Sequence, residues 1–296
     1  TRLAAAVFPY LETFGRTTEA VAICSRALQA ARIISDRDAE ATALGNLGYT
    51  CLQQGRYQPA ARHLRQAVTL FRQTDNQPGE AHALSNLAVV DRRQGRYQQA
   101  ARHQQQAVAL HRQAGDQWGE AVALTRLGGV EYREGLLPQA GEHTRQALIL
   151  SRQLGDQVGQ AEALTRLGVV ESRQGRHQHA ARHHQLAVTL FQQNDDQLGE
   201  AEALNGLGEA MLEMSHPGRA RSHHGDALRL AQQTGDQDQQ ARAYHGLARA
   251  HLATGQADHA CHHLREALTI YTTLSSPEAD QLRSELHACQ EISELG

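Results

Sequence analysis

The chain contains no lysine: all 29 of its basic side chains are arginine. That alone excludes a GxxxxGK[ST] loop, which needs a lysine ammonium on the nucleotide phosphates. A GxGxxG turn after a strand and a GxSxG elbow are also missing, which removes the dinucleotide-binding and serine-hydrolase motifs. Aromatic residues are scarce, at 4% of 296 positions. The four cysteines, Cys24, Cys51, Cys261 and Cys289, include no CxxC pair; this speaks against a cysteine-built metal site and reads as a reducing, cytoplasmic setting. No run approaches the ~18 consecutive apolar residues of a membrane span, and no secretory pattern opens the chain. A net charge of −3 provides no electrostatic drive towards nucleic acid or a membrane surface. Arginine without lysine, together with abundant alanine, reads as the codon bias of a GC-rich bacterial genome.

What the chain does have is a period. ALSNLAVVDRRQGRYQQAARHQQQAVAL from Ala83 returns as ALTRLGGVEYREGLLPQAGEHTRQALIL from Ala123 and as ALTRLGVVESRQGRHQHAARHHQLAVTL from Ala163. The forty-residue step holds from residue 1 to about 280, and a fixed period of this size means a solenoid or array. The expected organisation is seven copies, at 1–40, 41–80, 81–120, 121–160, 161–200, 201–240 and 241–278, followed by a capping helix over 279–296. Within 117–156, apolar residues recur at helical spacing, break at Gly135, and resume to Leu154. Each copy therefore predicts two helices of roughly 16–18 residues, about 25 Å long. Gly15, Gly55, Gly95, Gly135, Gly175 and Gly255 turn the hairpins; Ser215, close to Pro217, predicts a different sixth turn. Asp116, Asp156 and Asp236, each after a glycine, suit helix caps. Three columns of small residues, beginning at Ala20, Ala27 and Gly48, let helix backbones approach closely, and neighbouring hairpins must stack to bury the remaining apolar face. Leu282, Leu286 and Ile292 are expected to seat the last helix on the seventh hairpin.

These residues resemble the tetratricopeptide repeat family. Leu124 with Leu127-Gly128 fits its first helix, Gly55-Arg56-Tyr57 and Gly95-Arg96-Tyr97 its turn, and Ala100 and Ala107 its second helix. The repeat here is forty residues instead of thirty-four and lacks the usual closing proline. Long repeats of this kind are similar to those of kinesin light chains, LGN-type adaptors and, above all, bacterial signalling ATPases and antibiotic regulators of the actinomycete kind. The resemblance implies an all-α, right-handed superhelical α-solenoid that binds a protein or peptide in its concave groove, without cofactor, as a sensor or interaction arm of a bacterial regulatory protein. The start at Thr1, inside a first helix, reads as a piece cut from a longer protein.

The groove stripe follows from residues sharing one helix face. It places Asn46, Tyr49, Asn86, Arg93, Arg126, Arg133, Arg166, Arg173, Arg242 and Arg249 towards the partner. Asn46 and Asn86 stand where the family's groove asparagines hold peptide backbone. Guanidinium forks suit carboxylates or phosphates, so acidic segments, or the protein's own upstream domain, are the expected partners. The competing reading is a solvated face in which these arginines pair with Asp91, Glu131 and Glu171. Two more readings stay open: an oligomerisation module working through stack ends or the convex face and, more remotely, a small-molecule or metal receptor.

His63, His103, His143, His183, His223 and His263 form a column early in the second helices. His179 with His183 and His259 with His263 are spaced as metal pairs are, but no third ligand is evident in the sequence, so the column is assigned to structure and no metal is predicted. Asp91, Glu131 and Glu171 occupy packing positions and predict acid–histidine or acid–arginine pairs in copies three to five, because an unpartnered buried carboxylate is costly. Trp118, the one tryptophan, is expected to pack on the preceding helix end, with an exposed contact point as the alternative. A histidine repeated in six copies is unlike a single pre-aimed catalytic group, so no catalytic residue is predicted.

Overall fold

The structure, a computed structural model, describes residues 17–274 and 276–295, and every regular element among them is an α-helix. These are α1 (Thr17–Ile33), α2 (Arg37–Gln53), α3 (Tyr57–Gln73), α4 (Gln77–Arg93), α5 (Tyr97–Ala114), α6 (Gln117–Arg133), α7 (Leu137–Leu154), α8 (Gln157–Arg173), α9 (His177–Gln193), α10 (Gln197–Glu213), α11 (Pro217–Thr234), α12 (Gln237–Leu252), α13 (Ala257–Thr273) and α14 (Glu278–Leu295). The predicted turn at Gly15 lies outside the described residues. Two compact units divide the chain, Thr1–Leu150 and Ser151–Gly296. Within each, helices consecutive in sequence are neighbours in space, as in an α-solenoid.

The local chemistry repeats with the sequence. Asp36, Asn76, Asp116, Asp156, Asp196 and Asp236 each accept a hydrogen bond from the backbone N–H three residues on. Each such cap satisfies a helix-end donor and contributes about 1 kcal/mol. The hairpin turns use a left-handed residue, with φ from 69° at Gly55 to 78° at Gly135. Contrary to expectation, the sixth turn is the same. Ser215 adopts φ 61°, and the His216 N–H donates to Met211 O just as the Arg96 N–H does to Asp91 O. The hydrogen-bonded frame holds a serine in a conformation glycine takes without strain.

Close approach is real where the third small-residue column predicts it. A Cβ on Gly48 would lie 2.6 Å from Leu64 Cγ, and one on Gly168 2.5 Å from His184 Nε2. In the first unit, Cys51, Leu64, Leu87 and Val90 share one apolar cluster, and Ala88, Ala100, Leu127 and Val130 another. In the second, Leu264, Tyr271 and Leu282 close the C-terminal core, with Leu286 packed on it. Ile292 corrects the expectation: it is 55% exposed and outside that core.

Cysteine pairing is a further correction. Cys261 on α13 and Cys289 on α14 form a disulfide, with Cα atoms 5.8 Å apart, inside the range such a bond requires. Reading all four cysteines as thiols of a reducing compartment does not describe this pair. Nothing in the local sequence announces it, because the contact arises only when α14 lies along α13. Cys24 and Cys51 are free and buried, and burial pushes the Cys24 thiol up to about 11.

Candidate functional site

In the first unit, α2, α4 and α6 present their shared face to a cavity of about 500 Å³. Asn46 and Tyr49 enter it from α2, His82 and Asn86 from α4, and Trp118, Val122 and Arg126 from α6. Its wall is held by a chain of bonds. The His82 ring meets His111 edge-on at 5.2 Å. His111 Nδ1 lies 2.8 Å from Asp116 Oδ2, and Asp116 Oδ1 accepts from the Gly119 N–H at 2.9 Å. Gly119 is needed there, since a Cβ would collide with the His111 ring and the Asp116 carboxylate. Burial raises the Asp116 pKa, but the Gly119 N–H and His111 outweigh it and hold the carboxyl below its ordinary value. Burial, with help from His111 and Arg126 against Asp116, keeps His82 below the ordinary imidazole value.

The cavity gathers four of the predicted residues: Asn46, Tyr49, Asn86 and Arg126. It also corrects the packing expectation for Trp118, which is 54% exposed and lines the same space. Arg93 and Arg133 fall in the last turns of α4 and α6, exposed and outside the cavity lining. In the second unit, Arg173 is exposed at the end of α8, while Arg166 has a buried Nε without a hydrogen-bond partner. Arg242 and Arg249 are already engaged within the chain. Arg242 donates twice to Glu209, at 2.6 and 2.8 Å, and Arg249 donates to Glu213 at 2.8 Å. Both tie α12 to α10 instead of presenting an open guanidinium. Burial raises Glu209, but the Arg242 charge outweighs it and brings the carboxyl down to about 2.

The stripe itself changes character in the second unit. The position of Asn46, Asn86, Arg126 and Arg166 becomes Gly206 and then Gly246. The reason lies one helix earlier. The buried His184 ring fills the space a Cβ on either Gly168 or Gly206 would need, and His224 does the same between Gly208 and Gly246. His224 Nδ1 lies 3.0 Å from Asn205 Oδ1. Burial drives His184 down to about 3 and His224 down to about 4, so both rings are neutral at pH 7.

The acid column behaves as its burial demands. Asp91 Oδ2 is 2.8 Å from His103 Nδ1 and Glu131 Oε2 is 2.8 Å from His143 Nδ1, while Glu171 Oε2 is 2.9 Å from His183 Nδ1. Asp91 also takes two hydrogen bonds from Arg96, and Arg176 lies 3.6 Å from Glu171. Copy four has Leu136 where those arginines stand. Burial raises Asp91, yet His103 and Arg96 together hold it below its ordinary value. For Glu131 burial wins over His143, and its pKa is raised. The groove arginines are therefore not the partners of these acids.

Forty-residue helical hairpins with small-residue seams and a polar inner face define a helical-repeat protein, a class that serves in general as a non-catalytic protein-interaction scaffold. The chain belongs to the tetratricopeptide repeat family, whose signatures match residues 10–73, 119–193 and 199–273 and, in a second form, 81–114. Among solved structures it is similar to the apo form of RapI, at 12% identity and a TM-score of 0.76 over 93% of this chain and 98% of that one. It is also similar to a Signal Transduction ATPase with Numerous Domains (STAND) protein with a tetratricopeptide repeat sensor from Pyrococcus horikoshii. There the identity is 14% and the TM-score 0.73, over 96% of this chain and 44% of that one. The APC/C hetero-tetramer Cut9–Hcn1 matches at 19% identity and 0.65, over 97% and 56%. Such identities speak for the fold alone. No curated protein matches the chain. No helix among the described residues is long and apolar enough to cross a membrane.

Proposed function

We propose that the chain is an interaction arm of a bacterial regulatory protein, and that the first unit's groove receives an extended acidic segment of a partner or of an upstream domain. The observation that carries this is the meeting of Asn46, Asn86 and Arg126 around one open cavity beside the exposed Trp118. Carboxamides can hold an extended backbone by donating and accepting at once. A guanidinium fork adds a paired contact to a carboxylate, and tryptophan is enriched where interfaces concentrate their energy. The STAND protein with a repeat sensor supports the regulatory setting by its architecture.

The test is partner capture by the purified chain with Asn86→Ala and Arg126→Glu combined, against Arg249→Glu as the control in the second unit. Loss of capture with the first variant alone supports the groove. Capture equal to the unaltered chain counts against it, and concentration-dependent sedimentation of all three proteins would instead favour self-assembly.

A further inference from the structure

Copy seven breaks the acid–histidine pattern. The column that supplies Asp91, Glu131 and Glu171 supplies His251 there, facing His263 of the histidine column. The buried His251 ring stacks on His263 at 5.3 Å with an interplanar angle of 27°, and on His259 at 5.2 Å and 18°. His262 lies 5.3 Å from His263, and Tyr244 stacks on His263 at 5.9 Å. His251 Nδ1 is engaged by Gln256 Oε1 at 2.6 Å, and His263 Nδ1 is buried without a hydrogen-bond partner.

Three carboxylates of the surrounding elements are engaged elsewhere. Glu285 on α14 is 2.7 Å from His245, Glu213 on α10 is bound to Arg249, and Asp258 accepts from Ser293 of α14. Of the charged pair that follows on α13, Arg265 is exposed and Glu266 half-buried. No group of three or more His, Cys, Asp or Glu among the described residues is arranged to hold a metal ion.

We propose that the seventh hairpin is an acid-sensitive joint, in which a proton taken up by His263, stacked on the buried His251, forces α12 from α13. In copies three to five an added proton on the imidazole meets a carboxylate within 2.9 Å; in copy seven it meets more imidazole. Burial, reinforced by His251, His262 and His259, holds His263 down to about 4 in the closed hairpin. An opened hairpin returns it towards the ordinary value near 6.5. The opened form therefore binds more protons between those limits, so closure is favoured above about pH 6.5 and weakens as the pH falls towards 4. The disulfide between Cys261 and Cys289 holds α13 to α14 throughout, so the parting surface lies between α12 and α13.

Hydrogen exchange read by mass spectrometry at pH 7.5 and 5.0, corrected for intrinsic exchange rates, tests this on the full chain. One imidazole gives up to about thirtyfold over that interval, and half-burial reduces it to about tenfold. We expect a loss of about tenfold in protection over 257–273 that depends on His251, with 117–133 unchanged; the buried His224 against Gly246 acts on 237–252 separately. His251→Glu, which restores the acid of the earlier copies, abolishes the loss. Should that variant fail to fold, His251→Gln removes the ring that touches both others and reduces the loss below threefold. Equal protection of 257–273 at both pH values, an equal loss in 117–133, or a loss in 257–273 that stays tenfold in the folded His251 variants would overturn the proposal.

Discussion

Gly206 stands in a helix interior, where replacing glycine by alanine is ordinarily favourable by about 1 kcal/mol. Here the sign should reverse. An added Cβ would sit under 3 Å from the His184 ring, which Gly168 confines from α8 in the same way. The ring is 1% exposed and rigid, so it has nowhere to step. Overpacking of this sort costs about 1–3 kcal/mol. After subtracting the propensity gain, Gly206→Ala should lose about 1 kcal/mol, within a range of about 0–2. Gly225→Ala provides the reference: that glycine is also inside a helix, α11, with nothing within 4 Å of the place its methyl would take, and should gain about 0.5–1 kcal/mol. Urea unfolding followed by circular dichroism reads both, as midpoint shifts in opposite directions. A His184→Ala background supplies the cycle, since removing the ring should turn Gly206→Ala favourable. If Gly206→Ala and Gly225→Ala shift the midpoint alike in the native background, the imidazole is not wedged between the two glycines and the reasoning fails.

Two acids of one column should respond oppositely. Asp91→Asn should cost about 2 kcal/mol because it strands Arg96 and His103, while Glu131→Gln, which removes a carboxylate that burial already disfavours, should cost less than about 1 kcal/mol in urea titrations. The lowered Asp91 value contributes stability above about pH 4 that is lost as acid protonates it; the raised Glu131 value contributes below about pH 4.5 and fades as the pH rises. Trp118, 54% exposed, should emit near the wavelength of hydrated indole and be quenched readily by acrylamide, and an acidic partner in the groove should shift that emission to the blue. Opening the Cys261–Cys289 bond with Cys289→Ser releases a loop constraint of 28 residues, which amounts to about 3.5 kcal/mol at most on chain-entropy grounds. Its effect should appear as faster proteolysis confined to α14, and cleavage unchanged from the disulfide-bonded chain would show the bond to be dispensable.

Helices, caps and seams are legible in the sequence because each repeats at a fixed step, and a residue seen at the same place in copy after copy reports a shared geometric demand. The pairing of Asp91, Glu131 and Glu171 is readable for the same reason: an acid in a packing column must find a cation or a donor. The departures between copies are harder to read. Arg96 and Arg176 lie in the turns, outside the facing helices that the column pattern compares. Arg242 and Arg249 look like groove residues by periodicity, but their fate depends on Glu209 and Glu213 in the preceding copy, and spacing within one helix does not record that neighbour. Trp118 reads as a packing residue because its column is mixed, although nothing in that column requires burial. The disulfide and the imidazole stack of copy seven depend on which helix lies alongside, a tertiary fact with no local signature.

The fit of His184 between Gly168 and Gly206, and of His224 between Gly208 and Gly246, means that the copies are not interchangeable parts. A duplication or shuffling event that placed a copy bearing asparagine or arginine at that inner position after His184 would drive a bulky side chain into an imidazole. Growth and recombination of the array are thus restricted at the fifth and sixth junctions: only a successor with glycine at that inner position can follow there.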